Sequence, residues 1–355
     1  TIGNSTIVTK SLYGKIFSDD VIRMEPLDRS ELGYLYTFLI SKIGQILIST
    51  NKYGAVIKHI EPEHLKDIKI PNPPMDIKTK IHNLVMKSFS LRDESNMLID
   101  EAQSLLVSEL KLLPIQDLKP RYFNSDTNVR NFTIKLRDLE NRFDGSYHIP
   151  IVNTILNHLQ ENTEEVTTLD DPRISTKVLL PGRFKRVYVE EGQGTAFFGG
   201  KEILKLNPST NKYLSLSFHE KRINSELKLI KNTVLVTRSG TIGKVTITPS
   251  HWENWIINEH VIRVLPANEN IAGYIYAWLS SDYGYELITR FTYGAVVDEI
   301  DDKQLSEVQI PLLKDKEVQK KINDLVLEAN EKRYNAYLLE QEALKVLEEE
   351  VLFAK

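Results

Sequence analysis

The sequence predicts an α+β protein with two copies of one domain and two long helices that form an antiparallel coiled coil. Residues 1–71 align with residues 241–311 without a gap, and 26 of the 71 positions are identical. The offset of 240 residues far exceeds the roughly 20–50 residues of solenoid repeats, so it indicates a duplicated domain. Between the long helices there are strand-like runs at 187–189, 214–216, 233–237, 244–248 and 260–264, and helical patterns around 151–159 and 271–287. They do not alternate regularly, which favours α+β over a doubly wound sheet.

The alignment also predicts the order of segments along the chain. Residues 1–71 correspond to the end of the complete domain, so we expect the first copy to lack an equivalent of about 132–240. The expected segments are the C-terminal part of the first domain at 1–76, a long helix at 77–113, a linker at 114–131, a complete domain at 132–312 and a second long helix at 313–355.

The two long helices are expected to pair with each other. Each spans about 36 residues, or roughly 54 Å at 1.5 Å per residue, a length typical of coiled coils. One heptad position is small in both helices, which lets two backbones approach closely. Two equivalent helices related by a two-fold axis run antiparallel, whereas the alternative is that each helix packs on its own domain. The residues of this helix seam are Ser88, Ser95, Ala102, Ala329, Ala336 and Ala343.

Composition restricts the possible classes of protein. With 41% hydrophobic and 26% charged residues in 355, the chain is typical of globular proteins of about two domains. The absence of cysteine excludes disulfides, thiolate metal sites and cysteine catalysis. No apolar run of about 18 residues and no signal peptide is present. We therefore expect a cytoplasmic protein without a cofactor and without a membrane partner.

Positive charge is concentrated in one part of the complete domain. The net charge is −4, yet residues 177–244 contain 13 Lys/Arg and 5 Asp/Glu, a local balance of +8. A basic patch on an acidic chain is typical of phosphate contact. A solvated lysine-rich face is the alternative interpretation.

Basic, hydroxyl and aromatic side chains in this region are the candidate DNA contacts. Lysine and arginine bind phosphates, while arginine, serine and threonine can also read base edges. The segment 239–244 is expected to form a tight turn between two strands that presents backbone N–H groups. The candidates are Arg183, Lys185, Arg186, Lys201, Tyr213, Lys221, Arg222, Arg238, Ser239, Thr241, Lys244, Thr292 and Tyr293, with Lys52 and Tyr53 in the first copy.

Catalytic motifs are incomplete in this sequence. Asn72-Pro73-Pro74 is close to a methyltransferase loop, but Met75 replaces the aromatic residue that stacks on a flipped base. The segment 239–244 lacks the spacing of a phosphate-binding loop. Glu226-Leu227-Lys228 matches half of a nuclease core without an Asp-Pro partner at suitable spacing, and the histidines lack metal-ligand spacing. We therefore expect no catalytic residues and no metal.

Four motifs occur in a specific order along the chain. Arg142–Tyr147 opens the complete domain, Val234–Lys244 lies in its middle, and Tyr293–Val296 and Leu305–Pro311 lead into the second helix. Their order and duplication resemble the specificity subunit of type I restriction–modification enzymes, and the likeness covers essentially the whole chain. The usual Pro-Pro-x-Glu-Gln start of the helix is degraded in both copies.

This resemblance implies a non-catalytic DNA specificity subunit. Two target-recognition domains would each read one half of a bipartite sequence in double-stranded DNA. A helical spacer of about 50 Å spans about 15 base pairs, so the half-sites should be discontinuous. The resemblance implies docking of methyltransferase subunits and restriction/translocase subunits. A stand-alone nuclease and a coiled-coil scaffold without DNA affinity are the alternatives.

Overall fold

A computed structural model describes residues 3–50, 59–115, 117, 132–140, 142–205, 207–294 and 297–354. They belong to two compact units. Unit 1 consists of residues 1–97 and 332–355, and unit 2 consists of residues 98–331. Most of the predicted linker at 114–131 lies outside the described residues. The architecture is α+β, as the sequence predicted.

Unit 1 is helical within its described residues. Its helices are α1 (Leu32–Ile40), α2 (Lys42–Thr50), α3 (Pro62–Lys66) and the first part of α4 (Met75–Glu109). Tyr34, Tyr36 and Phe38 of α1 are buried with Ile81, Val85 and Phe89 of α4. In the described part of the chain no single helix is long and apolar enough to cross a bilayer. Residues Arg29–Ile40 and Lys42–Thr50 meet that test only when they are taken together, and the chain bends by 73° between them.

Unit 2 contains the strands. They are β1 (Glu165–Thr168), β2 (Ser175–Leu179), β3 (Tyr188–Val189), β4 (Gly194–Phe198), β5 (Tyr213–Ser215), β6 (Val234–Thr237), β7 (Val245–Ile247), β8 (Ile256–Ile257), β9 (Val261–Pro266) and β10 (Gln309–Leu312). Three sheets form, with the orders β1-β10, β2-β9-β6-β7 and β3-β5-β4-β8. The helices are α5 (Pro150–Asn162), α6 (Leu216–Arg222), α7 (Glu269–Leu279), α8 (Asp282–Thr289), α9 (Asp302–Ser306) and α10 (Lys316–Leu347), the last continuing into unit 1.

Strand β6 separates two hydrophobic cores. Val234 and Val236 face the larger core with α5, α7 and α8, whereas Leu235 faces a smaller core with Phe198 and Ile257. Successive side chains of a strand point to opposite faces, so a strand covered on both sides is apolar throughout. The four-stranded sheet therefore lies between the larger core with its helices on one face and the smaller core on the other face.

The duplication is visible in equivalent hydrogen bonds. Helices α1, α2 and α3 correspond to α7, α8 and α9 at the offset of 240 residues. The backbone N–H of Gly33 donates to His82 Nδ1 at 3.2 Å, and that of Gly273 donates to Asn323 Oδ1 at 2.8 Å. Both pairs join the N-terminal half of a short helix to a long helix, so the two copies use the same packing.

The two copies differ where unit 2 forms its central sheet. Strands β7 and β9 both pair with β6, whereas no strand occurs among the described residues of unit 1. Ile16 is 97% exposed, while its equivalent Ile256 is fully buried in β8. Residues 5–7 and 21–26 correspond to β7 and β9 at the offset of 240, and neither segment forms a strand.

The long helices α4 and α10 run antiparallel. Within unit 1, Lys80 pairs with Glu350 at 2.8 Å and Glu94 pairs with Lys332 at 2.8 Å, so numbers rise along one helix as they fall along the other. The Ser88 hydroxyl donates to the carbonyl of Ala336 at 2.7 Å. A side chain reaches the opposite backbone only where the helices approach closely. The buried small residues are Ser88, Ser95, Ala102, Ala329, Ala336 and Ala343.

The helices end earlier than the heptad pattern suggests. Helix α4 ends at Glu109, and Lys111 then adopts a left-handed conformation with φ 51°. Helix α10 ends at Leu347 and a π-helical turn covers Glu348–Leu352. Apolar spacing continues past both ends, so periodicity alone does not show where the hydrogen-bond pattern changes.

We expect His82 to make the stability of unit 1 dependent on pH. Its Nδ1 accepts a hydrogen bond from Gly33, which requires a neutral ring. Burial lowers the pKa of His82 below its usual value of 6.5, although Asp28 acts in the opposite direction. The unfolded chain therefore binds a proton more readily than the folded chain, and the free energy of unfolding should fall as pH drops below about 6.5.

We expect His82→Asn to remove this pH dependence, because Asn323 performs the same role in the other copy. Hydrogen exchange of residues 75–97, measured between about pH 5 and pH 7.5 and corrected for intrinsic exchange, tests the expectation. Equal pH profiles in the wild type and the variant would contradict it.

Candidate nucleic-acid interface

The β6–β7 turn presents polar groups at one end of the sheet. Gly240 and Gly243 have φ values of 74° and 75°, which glycine adopts without strain. The N–H of Gly243 donates to the carbonyl of Thr237 at 3.0 Å and closes the turn. Thr241 is exposed, and Ser239 Oγ lies 2.8 Å from His260 Nδ1. The sequence correctly predicted a tight turn between two strands here.

Arg238 and Glu299 join this turn to the loop at 293–299. The guanidinium of Arg238 forms an ion pair with Glu299 and donates through Nε to the carbonyl of Ile300 at 3.0 Å. Tyr293 and Glu299 exchange two backbone hydrogen bonds of 2.7 and 2.9 Å, which close the loop. Arg183 lies at the same place, with its guanidinium 3.9 Å from the Glu299 carboxylate. We call Arg183, Arg238, Ser239, Tyr293 and Glu299 the Glu299 cluster.

A second group of arginines surrounds Phe184. The guanidinium of Arg222 lies 4.6 Å from the centre of the Phe184 ring and pairs with Glu226 at 3.1 Å. Arg186 lies over the same ring and pairs with Glu259. Burial acts to raise the pKa of Glu259, but backbone hydrogen bonds and Arg186 together lower it. These five residues form the Phe184 cluster, in which both arginines are held by aromatic and carboxylate contacts.

Three predicted lysines differ from these arginines. Lys185, Lys201 and Lys221 are exposed. In the part of the chain that the structure describes, none of them forms an ion pair. Gly200, the neighbour of Lys201 along the chain, lies near Thr237 and the carbonyl of His260. Lys185 and Lys221 adjoin members of the Phe184 cluster along the chain. Their charges are free to contact an external anion.

Several other candidate DNA contacts lie outside the Glu299 and Phe184 clusters or are partly buried. The Lys244 ammonium lies over the Tyr285 ring of α8, 5.1 Å from its centre, beside a cavity of about 550 Å³ that Asp282 and Glu286 also line. Tyr213 and Thr292 are half-buried, whereas Tyr293 is 41% exposed. Lys52 and Tyr53 lie outside the described residues.

The reasoning from sequence did not predict that three acidic residues pair with candidate arginines. Glu226, Glu259 and Glu299 each bind an arginine that was predicted to contact DNA. Glu299 follows Arg238 by 61 residues, so only folding brings them together. Glu226, considered as part of a nuclease core, pairs with Arg222, and its carbonyl accepts a hydrogen bond from buried Arg263. No group of three potential metal ligands occurs within the described ranges.

Clustered cations at one end of an α+β domain are typical of a surface that binds nucleic acid. Residues 193–340 match the family model of the type I restriction modification DNA specificity domain. This part of the chain is therefore a DNA specificity domain, and its role is sequence specificity and not catalysis. The matched range includes Lys201, Lys221, Arg238 and Glu299.

Solved structures of type I specificity subunits are similar to the chain. The S subunit from M. genitalium is 16% identical, with a TM-score of 0.36 over 90% of this chain and 74% of that chain. The HsdS subunit from Thermoanaerobacter tengcongensis is 14% identical, with a TM-score of 0.34 over 89% and 68%. A chain from a structure on complex assembly of the type I R-M system is 13% identical, with a TM-score of 0.34 over 88% and 69%. A search of curated proteins found no significant match.

Proposed function

We propose that the chain reads a bipartite sequence in double-stranded DNA as the specificity subunit of a type I restriction–modification complex. The complete target-recognition domain is 132–312, and 1–76 contributes the C-terminal part of the other. The helices at 77–113 and 313–355 serve as the spacer between the two readers. The match of residues 193–340 to a DNA specificity domain carries this proposal.

The charged surface of unit 2 supports contact with DNA. Free lysines on a protein surface bind phosphates and position the protein on the duplex. Lys185, Lys201 and Lys221 supply these contacts. Arg183 is 73% exposed and can offer a planar pair of donors to guanine. Arg186, Arg222 and Arg238 support this surface through their carboxylate partners.

The similarity to type I specificity domains also supports a proposal for the partners of the chain. Methyltransferase subunits dock on the helices, and restriction/translocase subunits join that complex, in the cytoplasm. Exposed glutamates near the end of α10, such as Glu349 and Glu350, offer an acidic surface for docking. The specificity domain itself needs no cofactor for this role.

Replacing the three free lysines tests DNA binding. Each phosphate contact contributes about 0.9 to the slope of log K against log salt concentration, so Lys185→Gln, Lys201→Gln and Lys221→Gln together should lower the slope by roughly 2.7. Fluorescence anisotropy with a labelled duplex between about 50 and 200 mM salt measures it.

The matched control changes the same charge on exposed lysines of the long helices and their flanks, namely Lys87, Lys314 and Lys345. Equal slopes in the two triple variants would contradict the proposed surface. Absence of duplex binding in the wild type would favour a scaffold. Magnesium-dependent cleavage that is lost on Glu226→Ala would favour a nuclease.

A further inference from the structure

Glu299 lies between two arginines of very different exposure. The Arg238 side chain is 11% exposed, the Glu299 side chain 19%, and the Arg183 side chain 73%. One carboxylate therefore contacts an inner guanidinium tightly and an outer guanidinium loosely, at 3.9 Å. The inner arginine holds the carboxylate in place, and the outer arginine faces the solvent.

The inner arginine is already satisfied by the protein. Its side chain binds Glu299 and the carbonyl of Ile300, its N–H donates to the carbonyl of His260 at 3.0 Å, and its carbonyl accepts from Ile300 at 3.1 Å. Arg238 is thereby fixed by two separate parts of the domain, namely His260 and the segment 299–300. It determines where Glu299 lies, and its guanidinium has little freedom to follow a DNA backbone.

The outer arginine keeps its donors and its charge, but its attraction for an anion is reduced by the nearby carboxylate. A carboxylate within about 4 Å offsets the field that Arg183 presents to an approaching anion, because the two opposite charges act from nearly the same place. A phosphate carries a full negative charge and is repelled by Glu299. The O6 and N7 acceptors of guanine are neutral, so the same carboxylate disfavours them much less.

We propose that Glu299 is a specificity-determining residue that acts through Arg183, by weakening its binding to phosphate while leaving it able to bind a base edge. This inference rests on the proposed function of DNA reading. Discrimination then depends on an unfavourable interaction with the wrong ligand as well as on a favourable one with the right ligand. Glu299 is a positioning residue here, because it does not itself contact DNA.

The variant Glu299→Gln tests this role. It keeps the size of the side chain and removes the charge, so Arg183 should gain a phosphate contact. On a pool of random-sequence duplexes we expect a salt slope steeper by about 0.9, which corresponds to roughly eightfold tighter binding at 0.1 M salt. Selection from the same pool, followed by sequencing, should recover a less defined target than the wild type does.

Two further variants separate this role from a general effect of charge or folding. Asp298→Asn removes the same charge from the exposed neighbouring residue and should change both measurements little. The double variant Glu299→Gln with Arg183→Gln should bind like Arg183→Gln alone, because the carboxylate acts through that arginine. If the wild type binds duplex DNA and Glu299→Gln behaves like Asp298→Asn, the inference is wrong. If the wild type does not bind duplex DNA, the proposed function is wrong.

Discussion

Glu340→Ala should destabilise unit 1 by about 3–5 kcal/mol, because it removes the carboxylate of a buried ion pair. Glu340 Oε2 accepts from Arg92 at 2.7 Å and from the hydroxyl of Tyr36 at 3.2 Å. The Arg92 and Glu340 side chains are 10% and 2% exposed. Loss of the carboxylate removes the charge with which this buried guanidinium pairs. Hydrogen exchange of residues 75–97 and 332–354, followed by mass spectrometry, should then become a hundredfold faster or more (about 1.4 kcal/mol per tenfold).

The control is an exposed ion pair between α4 and the π-helical turn that follows α10. Lys80 and Glu350 are 2.8 Å apart with side chains 51% and 40% exposed. Water screens such pairs, so Glu350→Ala should have little effect. A second variant, Arg92→Met with Glu340→Met, removes both buried charges together and should be less destabilised than Glu340→Ala. Equal destabilisation by Glu340→Ala and by the double methionine variant would show that packing, and not the ion pair, determines the loss of stability.

Much of the fold could be predicted because the repeat and the seam of small residues on the long helices can be read directly from the sequence. The strand-like runs around Val187–Val189, Leu214–Leu216, Thr233–Thr237, Lys244–Thr248 and His260–Val264 correspond to β3, β5, β6, β7 and β9. Strands β1, β2, β4, β8 and β10 were not predicted. Of these, β1 and β10 pair with each other across more than a hundred residues, so tertiary contact decides their conformation.

The candidate site was less predictable because its electrostatics depend on distant carboxylates. A local count of charges finds the basic region that contains Arg186 and Arg222. It does not distinguish these arginines, which are held by Glu259 and Glu226, from free lysines such as Lys221. Sequence separation hides this difference, because the partner of Arg186 is 73 residues away. The role of each arginine can be assigned only in the folded domain.

Gly273→Ala should destabilise unit 2 by about 1–3 kcal/mol, although alanine favours helices over glycine by about 1 kcal/mol. Gly273 lies in the first turns of α7, where a β-carbon would overlap the main-chain oxygen of Asn323 in α10. Backbone atoms cannot move aside as a flexible side chain can, so the two helices would have to separate. That separation would also weaken the hydrogen bond from Gly273 N–H to Asn323 Oδ1. Trp278 lies in the same helix, so tryptophan fluorescence during urea unfolding measures the loss.

The equivalent substitution in unit 1 shows whether close backbone packing is a property of the repeated domain. At Gly33 a β-carbon would lie 2.7 Å from His82 Cα, so Gly33→Ala should also destabilise its unit. Gly145→Ala is the control, because no atom outside its chain neighbours lies within 4 Å of the added carbon. All three tryptophans lie in unit 2, so hydrogen exchange of residues 32–40 must report on Gly33→Ala. Stabilisation by either helical substitution would mean that helix propensity outweighs the steric overlap, and that the short helices can move away from α4 and α10.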